Sequence, residues 1–338
     1  MKYITFTVPC YNSEDYMSHC IDTLLAGGRL VEIIIVDDGS TDATGEIADA
    51  YARNHPDIVK VIHQENGGHG AGVNAGLDIA CGRYFKVVDS DDWLDTKALT
   101  QLLFQMQQWD TSEPDLIICN YLYDHAKEGS VKRMGFKNVF RPGEFCGWED
   151  LKPFRPSQYL VMHSLWYRTE VLRLSGLRLP QHTFYVDNLF ACQPLPYVKT
   201  LCYLDLDLYH YFLGREDQSV NEKVLMQRID QQLRVTKLAA HAADLKKLSE
   251  SSPRLARYLT RNISIMMAIS DIHLLLIGTP EALKKRERLW EYMRMHNTAL
   301  YKDLKYRHLC TLTNLPGRFG DALTLWGYRT ARRIYQFN

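Results

Sequence analysis

Three β-rich runs in the first 92 residues each end in a polar turn, and no other feature of the chain constrains its fold as tightly. Ile4-Thr5-Phe6-Thr7-Val8 closes on Pro9-Cys10-Tyr11-Asn12, and Val31-Glu32-Ile33-Ile34-Ile35-Val36 closes on Asp37-Asp38-Gly39-Ser40-Thr41-Asp42. Tyr84-Phe85-Lys86-Val87-Val88 runs into Asp89-Ser90-Asp91-Asp92, and Val59 to His63 is a further run between them. Near-continuous apolar strands separated by helical pattern argue for parallel βαβ units, whose crossovers are right-handed and whose ligands lie at the carboxyl ends of the strands. The polar turns should therefore converge on one crevice.

Asp89, Asp91 and Asp92 place three carboxylates within four residues. Their mutual repulsion calls for a cation among them, and hard divalent ions favour oxygen ligands, so the cluster reads as a metal site. The plainer alternative is that Asp91 or Asp92 caps a helix beginning near Asp95 to Ala98, which engages one carboxylate and leaves the others unexplained. The Asp37 to Asp42 segment has its own plainer alternative, a turn followed by a cap from Ser40, Thr41 or Asp42.

The chain has 338 residues, enough for two units, and 46% of them are hydrophobic, enough to build cores. Its 40 basic and 40 acidic side chains balance, so it lacks the charge signature of a polyanion binder, and no nucleic-acid partner is expected. The eight cysteines include no Cys-x-x-Cys pair and several lie in apolar runs, as reduced, buried thiols do. The 12 histidines include no His-x-x-x-His pair, so zinc chemistry is unsupported. The N-terminus enters a strand without a basic leader, and the apolar stretch from Ile263 to Gly278, broken by Asp271 and His273, reads as too short to span a bilayer. A cytoplasmic chain is expected. Strand and helix alternate at first, whereas apolar residues from Glu222 onward recur at three and four residues, as in Leu225, Ile229 and Leu233. The expected units are residues 1–220 and 221–338.

Taken in order, Val8-Pro9-Cys10-Tyr11-Asn12, Ile35 to Asp42, Asn66-Gly67-Gly68 with Asn74, and Asp89-Ser90-Asp91-Asp92 resemble the family 2 glycosyltransferases of the GT-A fold. The resemblance is strong up to Asp95 and weaker beyond. It implies an α/β architecture, a Rossmann-like, mostly parallel sheet flanked by helices, with a C-terminal helical subdomain. It also implies transfer of a sugar from a nucleotide-diphosphate donor, with UDP the expected nucleotide, to a glycan, polymer or lipid-linked acceptor of the bacterial surface-polysaccharide type. Pro9, Tyr11, Asn12, Asp37 and Asp38 would then hold the nucleoside. Asp89 and Ser90 would lie near the ribose and sugar, and Asp91, with Asp89, would hold Mn²⁺ or Mg²⁺ against the diphosphate. Asn66, Gly67 and Asn74 would lie beside the donor, although this chain lacks the basic residue that members carry near Ala71 to Asn74. Arg215, Gln218 and Ser219 resemble a loop that closes over the diphosphate. Phe184 to Phe190 matches the segment that carries an acidic pair in inverting members, here Asp187-Asn188, and Asp187 is the expected general base. His69, His163 and His182 would line the acceptor side and Trp93 would stack on a sugar, with core packing as the alternative for each.

Two other functions stay open at this point. Gly70-x-Gly72-x-x-Ala75 matches a relaxed dinucleotide fingerprint, the basis for an NAD-dependent oxidoreductase acting on a nucleotide sugar, although it does not follow the first strand. Asn188 in place of an acid admits a noncatalytic sugar-nucleotide or glycan-binding module. Near the C-terminus Leu323, Leu325, Trp326, Tyr328, Ile334 and Tyr335 interleave with Arg329, Arg332 and Arg333. That segment has three readings: peripheral contact with the inner face of an anionic membrane, a last core helix, or a homo-oligomer contact.

Overall fold

The β-rich runs form strands at nearly the expected bounds in the computed structural model, which describes residues 1–109, 113–125, 129–156, 158–214 and 222–335, with side chains to residue 332. Strands β1 (Ile4–Cys10) and β2 (Val31–Asp37) are buried along their whole length, which is why they read as apolar runs rather than as alternation. With β3 (Val59–His63) and β4 (Tyr84–Val87) they form a parallel set in the order β3-β2-β1-β4. Helices α1 (Met17–Leu25), α2 (Thr44–Asn54) and α3 (His69–Ile79) connect successive strands. Cys10 pairs with Asp37 and Thr7 with Val87, a register that brings the three polar turns to one edge of the sheet.

The sheet continues as β9-β6-β10-β5, built from β5 (Trp93–Leu94), β6 (Leu116–His125), β9 (Leu165–Arg168) and β10 (Leu201–Leu213), while β7 (Ser130–Met134) pairs with β6 and β8 (Phe145–Cys146) with β10. Strand β9 lies antiparallel to both β4 and β6, so the ten strands are mixed in direction rather than uniformly parallel. Apolar content fixes that a strand is buried, not the direction in which it enters the sheet. Helix α4 (Thr96–Gln108) is capped by Asp95, whose Oδ1 accepts the Ala98 N–H at 2.7 Å. Neither Asp91 nor Asp92 performs that capping. Two short helices, α5 (Thr169–Leu174) and α6 (Asp187–Cys192), complete this part of the chain.

The chain divides into two compact units, residues 1–214 and 215–338. The second is helical: α7 (Glu222–Gln227), α8 (Ile229–Ala240), α9 (Leu245–Ser251), α10 (Pro253–Ile277), α11 (Pro280–His296), α12 (Thr298–Arg307), α13 (Cys310–Thr313) and α14 (Gly317–Tyr335). Its core joins Ile229, Leu233, Ile263, Met267, Leu274, Leu289, Trp290 and Leu304. At 25 residues, α10 is the one described helix long and apolar enough to cross a bilayer, and 67% of its most apolar window is buried within the protein. The apolar stretch seen in the sequence is only its second half. The helix begins at Pro253 because Arg254 and Arg257 interrupt the apolar run on an exposed face without interrupting the helix. Asp271 of α10 is fully buried and accepts from Trp290 Nε1 (2.9 Å), Thr313 Oγ1 (3.0 Å) and Arg286 Nε (3.3 Å).

Candidate active site

Side-chain hydrogen bonds tie the three strand-end turns together. Asn12, at φ 48°, accepts the Thr41 N–H on Oδ1 at 2.9 Å, and its own N–H donates to Ser40 Oγ at 3.1 Å. The Ser13 N–H donates to Thr44 Oγ1 at 2.7 Å, and Ser13 Oγ lies 3.0 Å from Ser90 Oγ. Ser90 therefore locks the Asp-rich turn to the β1 turn. Pro9 lies on β1 against α3, while Tyr11 is 52% exposed, with its ring open to solvent.

The carboxylates of Asp37 and Asp38 are largely engaged by the protein. Asp37 accepts the Ser40 N–H at 3.0 Å and meets His63 Nδ1 at 2.9 Å. Burial raises the Asp37 pKa, and its partners Ser40 and His63 outweigh that, so its pKa falls below the ordinary value. Asp38 Oδ1 accepts from Gln64 Nε2 (2.6 Å) and the Gly67 N–H (2.9 Å), and Oδ2 accepts the Gly68 N–H (2.7 Å). Asn66 Nδ2 donates to the Asp38 carbonyl at 3.0 Å. Asp38 thus shapes the Asn66-Gly67-Gly68 loop from beneath. Asn74 is a clamp of the same kind, donating to the Leu179 carbonyl (2.8 Å) and accepting its N–H (2.9 Å). Asn66, Gly67, Asn74, Gln181 and His182 line a cavity of about 430 Å³.

The Asp-rich turn separates into distinct roles. Asp89 Oδ1 meets His69 Nε2 at 2.8 Å, and the Asp89 N–H donates to Tyr209 Oη at 3.3 Å. Burial raises the Asp89 pKa, but the neighbouring His69, together with His163 and Lys86, holds it below the ordinary carboxylate value. Asp92 is buried, with Oδ2 accepting Tyr209 O–H at 2.5 Å and Oδ1 accepting the Phe212 N–H at 2.9 Å. Burial, then Asp91 and Asp89, push its pKa well up. Asp91 is half-buried. Ligand atoms of Asp89, Asp92 and His163 lie within 4.8 Å of one another, and His163 Nδ1 has no hydrogen-bond partner among the described residues. Two oxygens of Asp92 already meet protein donors, so the converging atoms with capacity for a cation are those of Asp89 and His163. That donor chemistry fits Mn²⁺ or Mg²⁺, which prefer oxygen ligands.

Asp187 opens α6, and Asn188 Nδ2 donates both to Asp187 Oδ1 (3.3 Å) and to the Tyr185 carbonyl (3.2 Å). Burial raises the Asp187 pKa, and the charges of His69 and Asp89 act on it in opposite senses. The preceding loop carries His182 at φ 47° and Tyr185 at φ 67°, which with Asn12 are the described non-glycine residues at positive φ. Such strain concentrates where surrounding structure holds a functional loop in place. The His182 N–H donates to the Gly67 carbonyl at 2.6 Å, which joins this loop to the Asn66-Gly67-Gly68 loop. Arg215, Gln218 and Ser219 lie outside the described residues.

Three residues gain weight from the structure. Lys86, whose charge inside an apolar strand was the available signal, is fully buried and donates Nζ to the Met162 (2.7 Å) and His163 (2.6 Å) carbonyls, with the Tyr209 ring centroid 4.7 Å away. Burial lowers its pKa to about 7. His163 is sandwiched against Tyr209 and Tyr211, with centroids at 4.8 and 4.3 Å, and burial lowers its pKa to about 4, which leaves the ring neutral. His69 follows Gly67-Gly68 at the head of α3, where a residue facing the site is expected. Burial works against its protonated form, but Asp89 raises its pKa above the ordinary value. Trp93 packs on His210 (5.2 Å, 14° between planes) and His19, in keeping with the packing alternative.

The glycines of the relaxed fingerprint serve packing. A Cβ on Gly70 would fall 2.8 Å from the Pro180 carbonyl oxygen and one on Gly72 3.0 Å from Pro9 Cβ, and one on Gly76, just beyond the fingerprint, would fall 2.0 Å from Thr7 Oγ1, so the small face of α3 is pressed on β1. This leaves the oxidoreductase reading without its motif.

A mixed sheet in this strand order, with an Asp-rich turn at the carboxyl edge of β4, is the architecture of the GT-A class of glycosyltransferases. The model of the family "Glycosyl transferase family 2" matches residues 5–172. The chain is 30% identical over 263 residues to putative glycosyltransferase EpsH of Bacillus subtilis, covering 74% of this chain and 70% of that one. It is 40% identical over 126 residues to glycosyltransferase GlyG of Streptococcus pneumoniae, covering 36% and 40%. The crystal structure of S. aureus TarS 1–349 in complex with UDP-GlcNAc matches at a TM-score of 0.68 and 19% identity, over 99% of this chain and 92% of that one. The chain belongs to the family 2 glycosyltransferases and is a glycosyltransferase enzyme.

Proposed function

We propose that the protein moves a sugar from a UDP-sugar to a hydroxyl of a glycan, polymer or lipid-linked acceptor, with inversion at the anomeric carbon, as a cytoplasmic enzyme. The observation that carries this is the Asp89-Ser90-Asp91-Asp92 turn at the carboxyl edge of β4, tied through Ser90 to the β1 turn and meeting His69 Nε2 at Asp89 Oδ1 (2.8 Å). The complexes of TarS with UDP-GlcNAc and with UDP support the choice of nucleotide. In this reading Asp89 and Asp91 hold Mn²⁺ or Mg²⁺, which when bound would neutralise charge on the departing diphosphate. The exposed ring of Tyr11 stacks on the base, and the Pro9–Asn12 and Asp37–Ser40 turns flank the nucleoside. Arg215 and Ser219 remain proposed diphosphate contacts.

Asp187 takes the proton from the acceptor hydroxyl as the new bond forms from its oxygen to the anomeric carbon and the bond to the diphosphate oxygen breaks, releasing UDP. Burial makes Asp187 a stronger base than an exposed carboxylate, which suits proton abstraction. Asn188 donates to Asp187 Oδ1 at 3.3 Å and so fixes the orientation of its carboxylate. The test is a screen of UDP-sugars against glycan acceptors, followed by Asp187→Asn. The account expects kcat to fall by roughly 10²–10⁴, the usual worth of a general base, with UDP affinity unchanged. A kcat within a few-fold of wild type would remove Asp187 from that role.

A further inference from the structure

Helix α14 turns an apolar stripe away from the protein. Its inward face carries Gly320, Thr324 and Tyr328, and is fastened by Asp321 to Arg286 Nη1 at 2.8 Å and by Tyr328 O–H to Glu222 at 2.6 Å. On the opposite face Phe319, Leu323 and Trp326 follow at i, i+4 and i+7 and are 83%, 43% and 65% exposed. Leu309 and Leu312, just before the helix, are 53% and 63% exposed. Large apolar side chains grouped on a surface mark an interaction site.

The charges nearby indicate what covers the stripe. From Tyr306 to the C-terminus there are five arginines and one acid, Asp321, and Arg286 already engages that acid. Arg318 and Arg329 lie on one flank of the stripe, exposed and without an ion pair among the described residues. A two-fold contact between copies along this stripe would set these arginines toward each other with no acid to meet them. The exposed side of α14 is apolar along Phe319, Leu323 and Trp326 and cationic at Arg318 and Arg329, which is the composition of helices that lie in a lipid interface. The long helix α10 does not compete for this role, because most of its apolar surface is spent in the core.

We infer that α14 is a docking helix for an anionic bilayer surface, with Phe319, Leu323 and Trp326 in the acyl boundary and Arg318 and Arg329 among the lipid phosphates. This goes beyond the proposed transfer reaction and does not depend on it. The experiment is co-sedimentation of the full chain with vesicles of phosphatidylglycerol and phosphatidylcholine, against pure phosphatidylcholine, at low and high salt. Binding should favour the anionic vesicles by at least about tenfold and weaken with salt. R318Q/R329Q should lose about 30-fold, at about fivefold per arginine, and F319S/W326S should abolish binding, both with the wild-type melting temperature. Failure of the wild type to bind anionic vesicles, equal binding to neutral ones, or variants that bind as the wild type does would overturn the inference. So would a dimer in light scattering that F319S/W326S splits, because the stripe would then belong to a second copy.

Discussion

Asp89 and Asp92 stand three residues apart on one turn, and their surroundings drive them in opposite directions. Asp92 faces Tyr209 O–H and the Phe212 N–H in a buried pocket and fastens the Asp-rich turn to β10, whereas Asp89 faces His69. The metal-like spacing of the cluster was legible in the sequence. Which carboxylate is structural was not, because the deciding partners are more than 100 residues away. Asp205 also takes its character from partners on other elements: its Oδ2 meets Lys137 Nζ at 2.5 Å while Oδ1 accepts from Arg133 (2.5 Å), Asn120 (3.0 Å) and, on its own strand, Tyr203 (2.9 Å). Burial raises its pKa, but Lys137, Asn120, Tyr203 and Arg133 together hold it well below the usual carboxylate range. A depressed pKa contributes stability above the unfolded value of about 3.9, and that contribution disappears as pH falls through the folded value. Asp205→Asn should therefore cost about 1–2 kcal/mol at pH 7, with the gap from wild type closing below about pH 4. Urea midpoints measured across that range would show it, and a gap that stays constant with pH would contradict it.

At the scale of elements, β1, β2 and β4 were legible because they are buried along their whole length, whereas β3, at the edge of the set and only partly buried, was read from its β-rich composition between them. Strands β9 and β10 were harder to read. Leu165–Arg168 is a four-residue strand, and β10 carries Asp205, Asp207 and His210 among its apolar residues, so neither shows a clean period. The role of α3 also lay beyond the sequence, since its glycines suit either a phosphate loop or close packing. Their contacts decide for packing, and the helix head then delivers His69 to Asp89. Gly76→Ala tests that coupling. The added methyl must displace α3 from Thr7, which is fully buried, at a cost of roughly 1–3 kcal/mol for overpacking. Activity should fall further than the lost stability explains, because His69 moves with the helix. Unchanged melting temperature and turnover would show that α3 has room to spare.

The whole molecule is a GT-A unit followed by a helical unit, and the three- and four-residue periodicity from Glu222 onward lies within the second. The proposed chemistry concentrates in the first unit, where turns that are distant in sequence meet at one sheet edge. The helical unit was read from its three- and four-residue periodicity. The outward stripe of α14 was visible as composition, but only the structure shows which of its apolar residues face solvent. The central claim is that the sheet edge binds a uridine diphosphate through a cation held by Asp89 and Asp91. The most direct measurement is the melting temperature of the full chain with UDP, GDP, CDP or NAD, each with and without Mn²⁺, for wild type and Asp91→Ala. A ligand at 100 times its dissociation constant adds about 2.7 kcal/mol, enough to displace the melt. The account predicts stabilisation by UDP that requires Mn²⁺ and is lost in Asp91→Ala. Stabilisation by NAD without metal, or by UDP equally with and without Mn²⁺ in both proteins, would contradict it.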